Sequence, residues 1–537
     1  MFNIGYGAPL AVLLLSVIVS YFFVMIPTDE MANNGLLFIS NAAKAHAVCQ
    51  RASKFVRSVL YVKIKDNSEN TLPVLSKQID FFLLQLTFLG LKILNTFLSP
   101  QPSGTIKEIT TNYPIDMILY DNELAKEIDQ LKNSVATVKT GYRLQSIDFQ
   151  DSTYEGKLEK VQTYENVALG GTFDRLHNGH KILLSQAALR ATKLVTVGVT
   201  DVTMIQTKKL WELIEPVEVR IKEVLNFLRD INPDLEYNVF PLNDLYGPTK
   251  DDPKYQLIVV SEETLRGATK INEKRVENGL QPMDVHVIGL AQDAHAQPSQ
   301  EEESKISSSN TRMRLLGTLL KPPPNSNIPD WPYVIGLAGG IASGKSNIAN
   351  YLKSKGAAIV NCDIIAHDLY KPGLPLNRTI SQNFGQHVIT EAGEVDRKIL
   401  GQIVFSDKEQ LEKLNNIIWP AVIAEAQRRI RALGEQRHRI VVMEAAVMVR
   451  AQWYQYCHQL WSSIIPRDEA IKRIQKRNNL SEVESAQRVD SQPANQEQIA
   501  HANVVFSPYW SYKQTQGQID RAWQQLEVLL ASRKQKE

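Results

Sequence analysis

An α/β fold built on two successive doubly wound parallel sheets is expected, on three observations. From about Asn166 onward, short runs rich in Val, Ile and Leu alternate with helical patterns, the alternation that makes parallel sheets with helical crossovers. A proline-rich stretch, LKPPPNSNIPDWP, interrupts the series, which then starts again. Each series opens on an apolar strand that ends in a glycine pair just before a helix, VALGG at 167–171 and GLAGG at 336–340.

The chain has 537 residues, 43% hydrophobic and 22% charged, an ordinary globular balance with length for three or four domains. A formal charge of only +2 excludes a basic field of the size that nucleic-acid binding needs, but leaves room for local phosphate sites. Cys49, Cys362 and Cys457 are too few and too scattered for a disulfide framework or a zinc cluster, which points to a reducing, cytosol-facing compartment.

Residues 1–30 form the first segment. Met1 to Thr28 carries no charged side chain, and PLAVLLLSVIVSYFFVMI at 9–26 is an apolar run of 18 residues, close to the thickness of a bilayer core when helical. No Lys or Arg precedes it, against a cleaved signal peptide. An uncleaved membrane anchor is expected; a buried helix, or an extension ahead of a shorter product starting at Met31, is the alternative. Lys44, Arg51, Lys54 and Arg57 follow the run and favour a cytoplasmic side for what comes after. Residues 31–163 read as a mixed region with apolar runs such as FFLLQLTFLGLKIL and IDMILYD, a loop at LSPQPSG and no chemical motif, hence a structural or docking role.

The first series, 164–320, takes NVALGG, KLVTVGVT, EYNVFPL, YQLIVVS and VHVIGL as strands, with helices over HKILLSQAALRAT, PVEVRIKEVLNFLRDI and ETLRGATKINEKRVEN. A polar loop, DAHAQPSQEEESK, precedes a serine-capped helix at ISSSNTRMRLLGTLL. Residues 321–332 are the linker. The second series, 333–537, places strands at YVIGLAGG, AAIVNCD, RIVVMEAA, QLWSSIIP and NVVFS, and ends in a helix.

Gly339, Gly340, Ile341, Ala342, Ser343, Gly344, Lys345 and Ser346 fill every position of the phosphate-loop pattern, between a strand and a helix. Glycines there let backbone N–H groups turn in around the β- and γ-phosphates of ATP. Lys345 adds a positive charge, and the Ser346 hydroxyl completes a Mg2+ shell. No Asn-Lys-x-Asp guanine reader is present. Asp363 ends the next strand, in IVNCDIIAHDL, where a carboxylate can orient and deprotonate an attacking hydroxyl or simply cap the following helix. In the first series, GGTFDRLHNGH places Gly170 and Gly171 at a strand end and His177 and His180 at a helix start. The pair lacks the carboxylate or cysteine company of a zinc site. Gly170 and Gly171 would let backbone amides approach an anion, with the helix dipole aimed at the same place. The two histidines then serve as donors to phosphate oxygens of ATP.

Residues 331–537 resemble the dephospho-coenzyme A kinases in IGLAGGIASGKS, NCDIIAHDLY, LEKLNNIIWPAV, VVMEAAVMVRAQW and RDEAIKRIQKRNNLS. The resemblance implies a P-loop kinase fold, Asp363 as the base on a ribose 3′-hydroxyl, and Arg473 and Arg477 at the start of a basic lid over ATP. Trp419 stands before Pro420 where a His-Pro pair is common. Asn495 stands where the bacterial lid usually has an arginine, with Arg488 or another basic residue as a substitute. Residues 164–320 resemble the nucleotidyltransferase superfamily, and within it phosphopantetheine adenylyltransferases, in GGTFDRLHNGH, TKK, RGATKIN and ISSSNTR. That resemblance implies a Rossmann-like nucleotidyltransferase fold. Thr172 and Lys208 would hold the acceptor phosphate, and His180 with His177 would stabilise the transition state. Arg266 would bind ATP phosphates, and Ser307, Ser308 and Ser309 would hold the β/γ-phosphates. Thr269 and Lys270 intervene where a second arginine usually follows Arg266 and Gly267.

The order of modules resembles the bifunctional coenzyme A synthases of animals. It implies two ATP- and Mg2+-dependent steps on small molecules, from 4′-phosphopantetheine through dephospho-coenzyme A to coenzyme A, and a possible seat on the outer mitochondrial membrane. The alternative is a membrane-anchored nucleotidyltransferase–kinase fusion acting on another small phosphorylated metabolite.

Overall fold

The computed structural model describes residues 31–40, 45–64, 93–97, 108–147, 161–293, 295–297, 301–323 and 328–534. The expected anchor at 9–26 and the loop at 98–104 lie outside them. The chain divides into two compact units, one running to Lys208 and resuming over Glu215–Asn310, the other made of Lys209–Ile214 and Thr311–Glu537.

Residues 31–163, expected as a mixed region, hold a parallel sheet of their own. Its strands are β1 (Ala32–Ile39), β2 (Val56–Ile64), β3 (Ile93–Phe97), β4 (Ile115–Asp121) and β5 (Val138–Ile147), in the order β3-β2-β1-β4-β5, every pairing parallel. Leu36–Ile39 and Val59–Val62 are buried without a break, as strands covered on both faces must be.

The first series forms β6 (Tyr164–Gly171), β7 (Ala191–Thr200), β8 (Glu236–Leu242), β9 (Leu257–Ser261) and β10 (Asp284–Ile288), in the order β10-β9-β6-β7-β8. The chain leaves β6 toward one side and returns to its other side in β9, so the switch point lies at the carboxyl end of β6. The crossover helix Asn178–Arg190 is buried along nearly its whole length. This sheet and the first share one core in which Leu60 and Val62 join Leu184 and Phe227. Asp230 accepts from the Tyr61 hydroxyl and from the Asn112 backbone N–H, both at 3.1 Å.

In the second unit β11 (Tyr333–Gly339), β12 (Ala358–Asn361), β13 (Ile440–Glu444), β14 (Gln459–Ser463) and β15 (Val504–Phe506) pair as β12-β13-β11-β14-β15. β11 is central and buried throughout, so the phosphate loop leaves the middle of the sheet. Leu210, Leu213, Met313 and Leu316 cluster with Ile464, Ala502 and Val505, which is why 209–214 and the end of the first series belong to this unit. The described part of the 321–332 stretch is pinned to the same unit: Lys321 Nζ donates to the Ala500 carbonyl at 2.5 Å and Trp331 Nε1 to that of Gly434 at 2.9 Å.

Candidate active sites

At the carboxyl end of β6, Gly170 and Gly171 remain in the strand, paired with Gly198 and Val199 of β7. The left-handed residues of the turn are instead Phe173 (φ 51°) and Arg175 (φ 48°). The two glycines thus leave the rim bare of side chains, while the turn that follows places its strain on Phe173 and Arg175. Non-glycine residues in that region cost on the order of 1–3 kcal/mol each and persist where their surroundings over-determine them. Here they do. Asp174 is fully buried, and its carboxylate accepts from the Glu215 N–H at 3.1 Å and from the Arg175 guanidinium at 2.9 Å. Its carbonyl accepts from the Ser308 hydroxyl at 3.0 Å.

His177 caps the helix Asn178–Arg190, its Nδ1 accepting from the His180 N–H at 3.4 Å. A side chain at Gly179 would lie 3.2 Å from that ring, so glycine keeps the cap in place. The His177 and His180 rings stack, with centroids 3.8 Å apart and planes at 16°. His177 Nε2 lies 3.4 Å from the Ser308 hydroxyl. Nδ1 of His177 is thus an acceptor within the protein, and its ring places that of His180. Thr172 meets the Thr200 hydroxyl at 3.1 Å.

Ser307 accepts the Asn310 N–H at 3.1 Å, and Ser308 and Ser309 open the helix Ser308–Leu315. Hydrogen bonds and ring stacking thus link His177, His180 and Ser308, while Thr172 is held to Thr200 where β6 and β7 end. Lys208 is exposed in the turn after a short helix, and Arg266 is exposed in the first turn of the helix Leu265–Glu277. Lys305, which the sequence did not single out, pairs with the Glu263 carboxylate and with that of Glu303 at 3.2 Å. Burial holds its ammonium below the usual lysine value, and the neighbouring Lys208 charge adds to this. Its only sequence signal was its place two residues ahead of the serine run.

In the second unit, Gly339 adopts a conformation closed to other residues (φ 152°), and a Cβ there would fall 2.6 Å from Ser343 Oγ and 2.7 Å from the Ser463 carbonyl. Lys345 Nζ donates to the carbonyls of Gly339 at 2.6 Å and Gly340 at 3.3 Å. Burial pushes this ammonium below its ordinary value; the Asp363 and Glu444 carboxylates oppose that shift, and Arg477 adds to it. The Ser346 hydroxyl donates to Glu444 at 3.2 Å, and Asn361 Nδ2 donates to the same carboxylate at 2.8 Å. Glu444 is 4% exposed at the end of β13. The sequence reading had it only as part of a strand; its signal was a carboxylate closing an apolar run at a parallel strand's carboxyl end.

Asp363 sits exposed in the first turn of the helix Cys362–Leu369, whose cap is Asn361, accepting from the Ile364 N–H at 2.9 Å. The capping alternative for Asp363 therefore falls to its neighbour. Arg473 donates to the carbonyls of Ala342 at 3.4 Å and Pro508 at 2.7 Å, bracing the loop, while Gln492 accepts from the Ile341 N–H at 2.5 Å. Arg477 and Arg488 are exposed on the two successive helices Arg467–Asn478 and Glu482–Asp490. Asn495, at the usual arginine position, donates to Glu212 at 2.8 Å and to the Ile465 carbonyl at 2.9 Å. Trp419 packs edge-on against Trp453, 6.5 Å between centroids.

Comparison with known proteins finds a family match in each of the two α/β series. Residues 168–314 match the cytidylyltransferase-like family model, and 333–509 match that of dephospho-CoA kinase. The chain is 35% identical over 186 residues to a dephospho-CoA kinase of Carboxydothermus hydrogenoformans, covering 35% of this chain and 90% of that protein. Against a dephospho-CoA kinase of Syntrophus aciditrophicus it is 37% identical over 193 residues, 36% of this chain and 82% of that one. A phosphopantetheine adenylyltransferase of Saccharomyces cerevisiae is 43% identical over 123 residues, 23% of this chain and 40% of that protein. With its phosphate loop, buried Glu444 and exposed Asp363 preceded by the His177–His180 site, the chain belongs to the dephospho-CoA kinase family and joins that kinase to a cytidylyltransferase-like domain, the make-up of a bifunctional coenzyme A synthase.

Proposed function

We propose that the two sites act in series: the first transfers an adenylyl group from ATP to 4′-phosphopantetheine, and the second phosphorylates the ribose 3′-hydroxyl of the resulting dephospho-coenzyme A. The observation that carries this reading is the pair of sheet rims, β6 and β11, each ending in a turn and a helix start that present donors to a triphosphate.

In the first step an acceptor phosphate oxygen attacks the α-phosphorus of ATP, and pyrophosphate leaves. The acceptor is its own nucleophile, so the protein contributes position and charge. Thr172 and Lys208 hold the acceptor phosphate, His180 donates to the oxygens that gain charge, and His177 sets its ring. Ser307 to Ser309, Arg266 and the helix start retain the departing pyrophosphate.

In the second step Asp363 orients the 3′-hydroxyl and takes its proton as the oxygen attacks the γ-phosphorus, and ADP leaves. Lys345 and the loop amides follow the charge on the transferred group. Arg473 steadies the loop and Arg477 faces the phosphates. The Ser346 hydroxyl and the Glu444 carboxylate are hard oxygen donors on one rim and fit Mg2+, which takes most of its shell from water and substrate phosphate. Held by Ser346 and Glu444, the ion would supply positive charge against that of the triphosphate.

Incubation with 4′-phosphopantetheine, ATP and Mg2+, followed by mass spectrometry, should show dephospho-coenzyme A rising and then converting to coenzyme A. Absence of both products overturns the reading.

Length and hydropathy support a membrane anchor at 9–26; a seat on the outer mitochondrial membrane rests on the resemblance to bifunctional coenzyme A synthases, and a cytosolic side for the enzyme on Lys44, Arg51, Lys54 and Arg57. Among the described residues no helix is long and apolar enough to cross a membrane. Alkaline carbonate should leave the full chain in the membrane pellet and release a variant that starts at Met31; release of both removes the anchor.

A further inference from the structure

We infer that Arg220 is a positioning residue for the adenylyl step, a buried clamp that fixes Thr172 at the acceptor side of the first site. The inference rests on the first half of the proposed reaction. Arg220 lies near the start of the helix Val217–Ile231 and is 1% exposed. Its Nε donates to the Glu215 carbonyl at 2.8 Å, and one terminal nitrogen donates to the carbonyls of Thr172 at 2.7 Å and Thr200 at 2.9 Å. Thr200 ends β7 and Thr172 directly follows β6, so one guanidinium ties together the exits of two neighbouring strands. Between those exits the Thr200 hydroxyl donates to that of Thr172 at 3.1 Å.

Burying a guanidinium is expensive unless each lost water is replaced by a well-placed acceptor. Three main-chain carbonyls do this here, within range of the charges of Asp174, Asp201, Glu215 and Glu218. An aliphatic side chain could dock the helix, but it could not hold two carbonyls in register across strands. The clamp also grips the residue that precedes the strained Phe173–Arg175 turn, so the Thr172 hydroxyl has little freedom. In-line attack depends on such placement, and a displacement of ~1 Å can cost about 10²-fold in rate.

The test compares Arg220→Lys, Arg220→Met and Thr200→Val with the natural chain. Steady-state adenylyl transfer is followed with ATP and 4′-phosphopantetheine, kinase turnover with added dephospho-coenzyme A, and folding by thermal unfolding. Arg220→Lys keeps one charged donor but cannot hold the Glu215 carbonyl together with those of Thr172 and Thr200. It should lower adenylyl kcat by about 10- to 10²-fold and raise the KM for 4′-phosphopantetheine more than that for ATP. Kinase turnover should not change. Thr200→Val leaves the guanidinium in place and should raise the KM for 4′-phosphopantetheine roughly 2- to 10-fold, the effect of one hydrogen bond. A lower unfolding temperature with kcat and both KM values as in the natural chain would make Arg220 merely structural and overturn the inference. Should neither Arg220 variant fold, Thr200→Val decides alone: an unchanged acceptor KM overturns it. A natural chain that transfers no adenylyl group while all variants fold would instead defeat the reaction on which the inference rests.

Discussion

Replacing Lys345 by Ala is expected to reduce coenzyme A formation from dephospho-coenzyme A by at least about 10³-fold, while pyrophosphate release from ATP and 4′-phosphopantetheine continues. Two losses combine. The ammonium spans the carbonyls of Gly339 and Gly340, so it helps hold the loop open for phosphate. It is also a positive charge, largely withdrawn from water, at the point where the proposed reaction moves the γ-phosphoryl group. A single preorganised donor at such a place is worth about 10²–10³-fold, and loop disorder adds to that. Mass spectrometry should find dephospho-coenzyme A accumulating. Loss of both steps in a folded variant would show that the sites are not independent; retention of the kinase step would remove Lys345 from the mechanism.

Replacing His180 by Ala should lower adenylyl transfer by about 10²–10³-fold with kinase turnover on added dephospho-coenzyme A unchanged. The stacked His177 ring and the Ser308 contact fix the imidazole before substrate arrives, so little reorganisation is needed as charge develops. The effect belongs in kcat, because the hydrogen bond is strongest to the oxygens of the pentacoordinate phosphorus, where charge has built up. ATP affinity, measured by calorimetry, should shift far less than kcat. Near-normal turnover would dismiss His180 as a catalytic group.

Both phosphate sites were legible because their chemistry is local in sequence. Strand, turn and helix start lie within about a dozen residues, and the apolar runs on either side announce parallel strands. What escaped depends on residues far apart in the chain. Glu444 becomes a site residue only because Ser346 and Asn361 reach it across the sheet. Arg220 reads as an ordinary helix cation until its three carbonyl partners are seen. The sheet of 31–147 carried no motif, and β5, with most of its residues exposed, lacks the apolar run that marks a central strand. The left-handed turn at Phe173 and Arg175 was illegible for another reason: neither residue type announces a positive φ in sequence.

The Asp230 carboxylate, held by Tyr61 and Asn112, bears on how the polypeptide can be shortened. Cutting just ahead of the first nucleotide motif would strip that acid of its phenol, lay bare the Leu184–Phe227 flank and leave a sticky, poorly folding fragment. The leading sheet is thus wedded to the domain it precedes, and simple scission at that seam would not yield two sound halves.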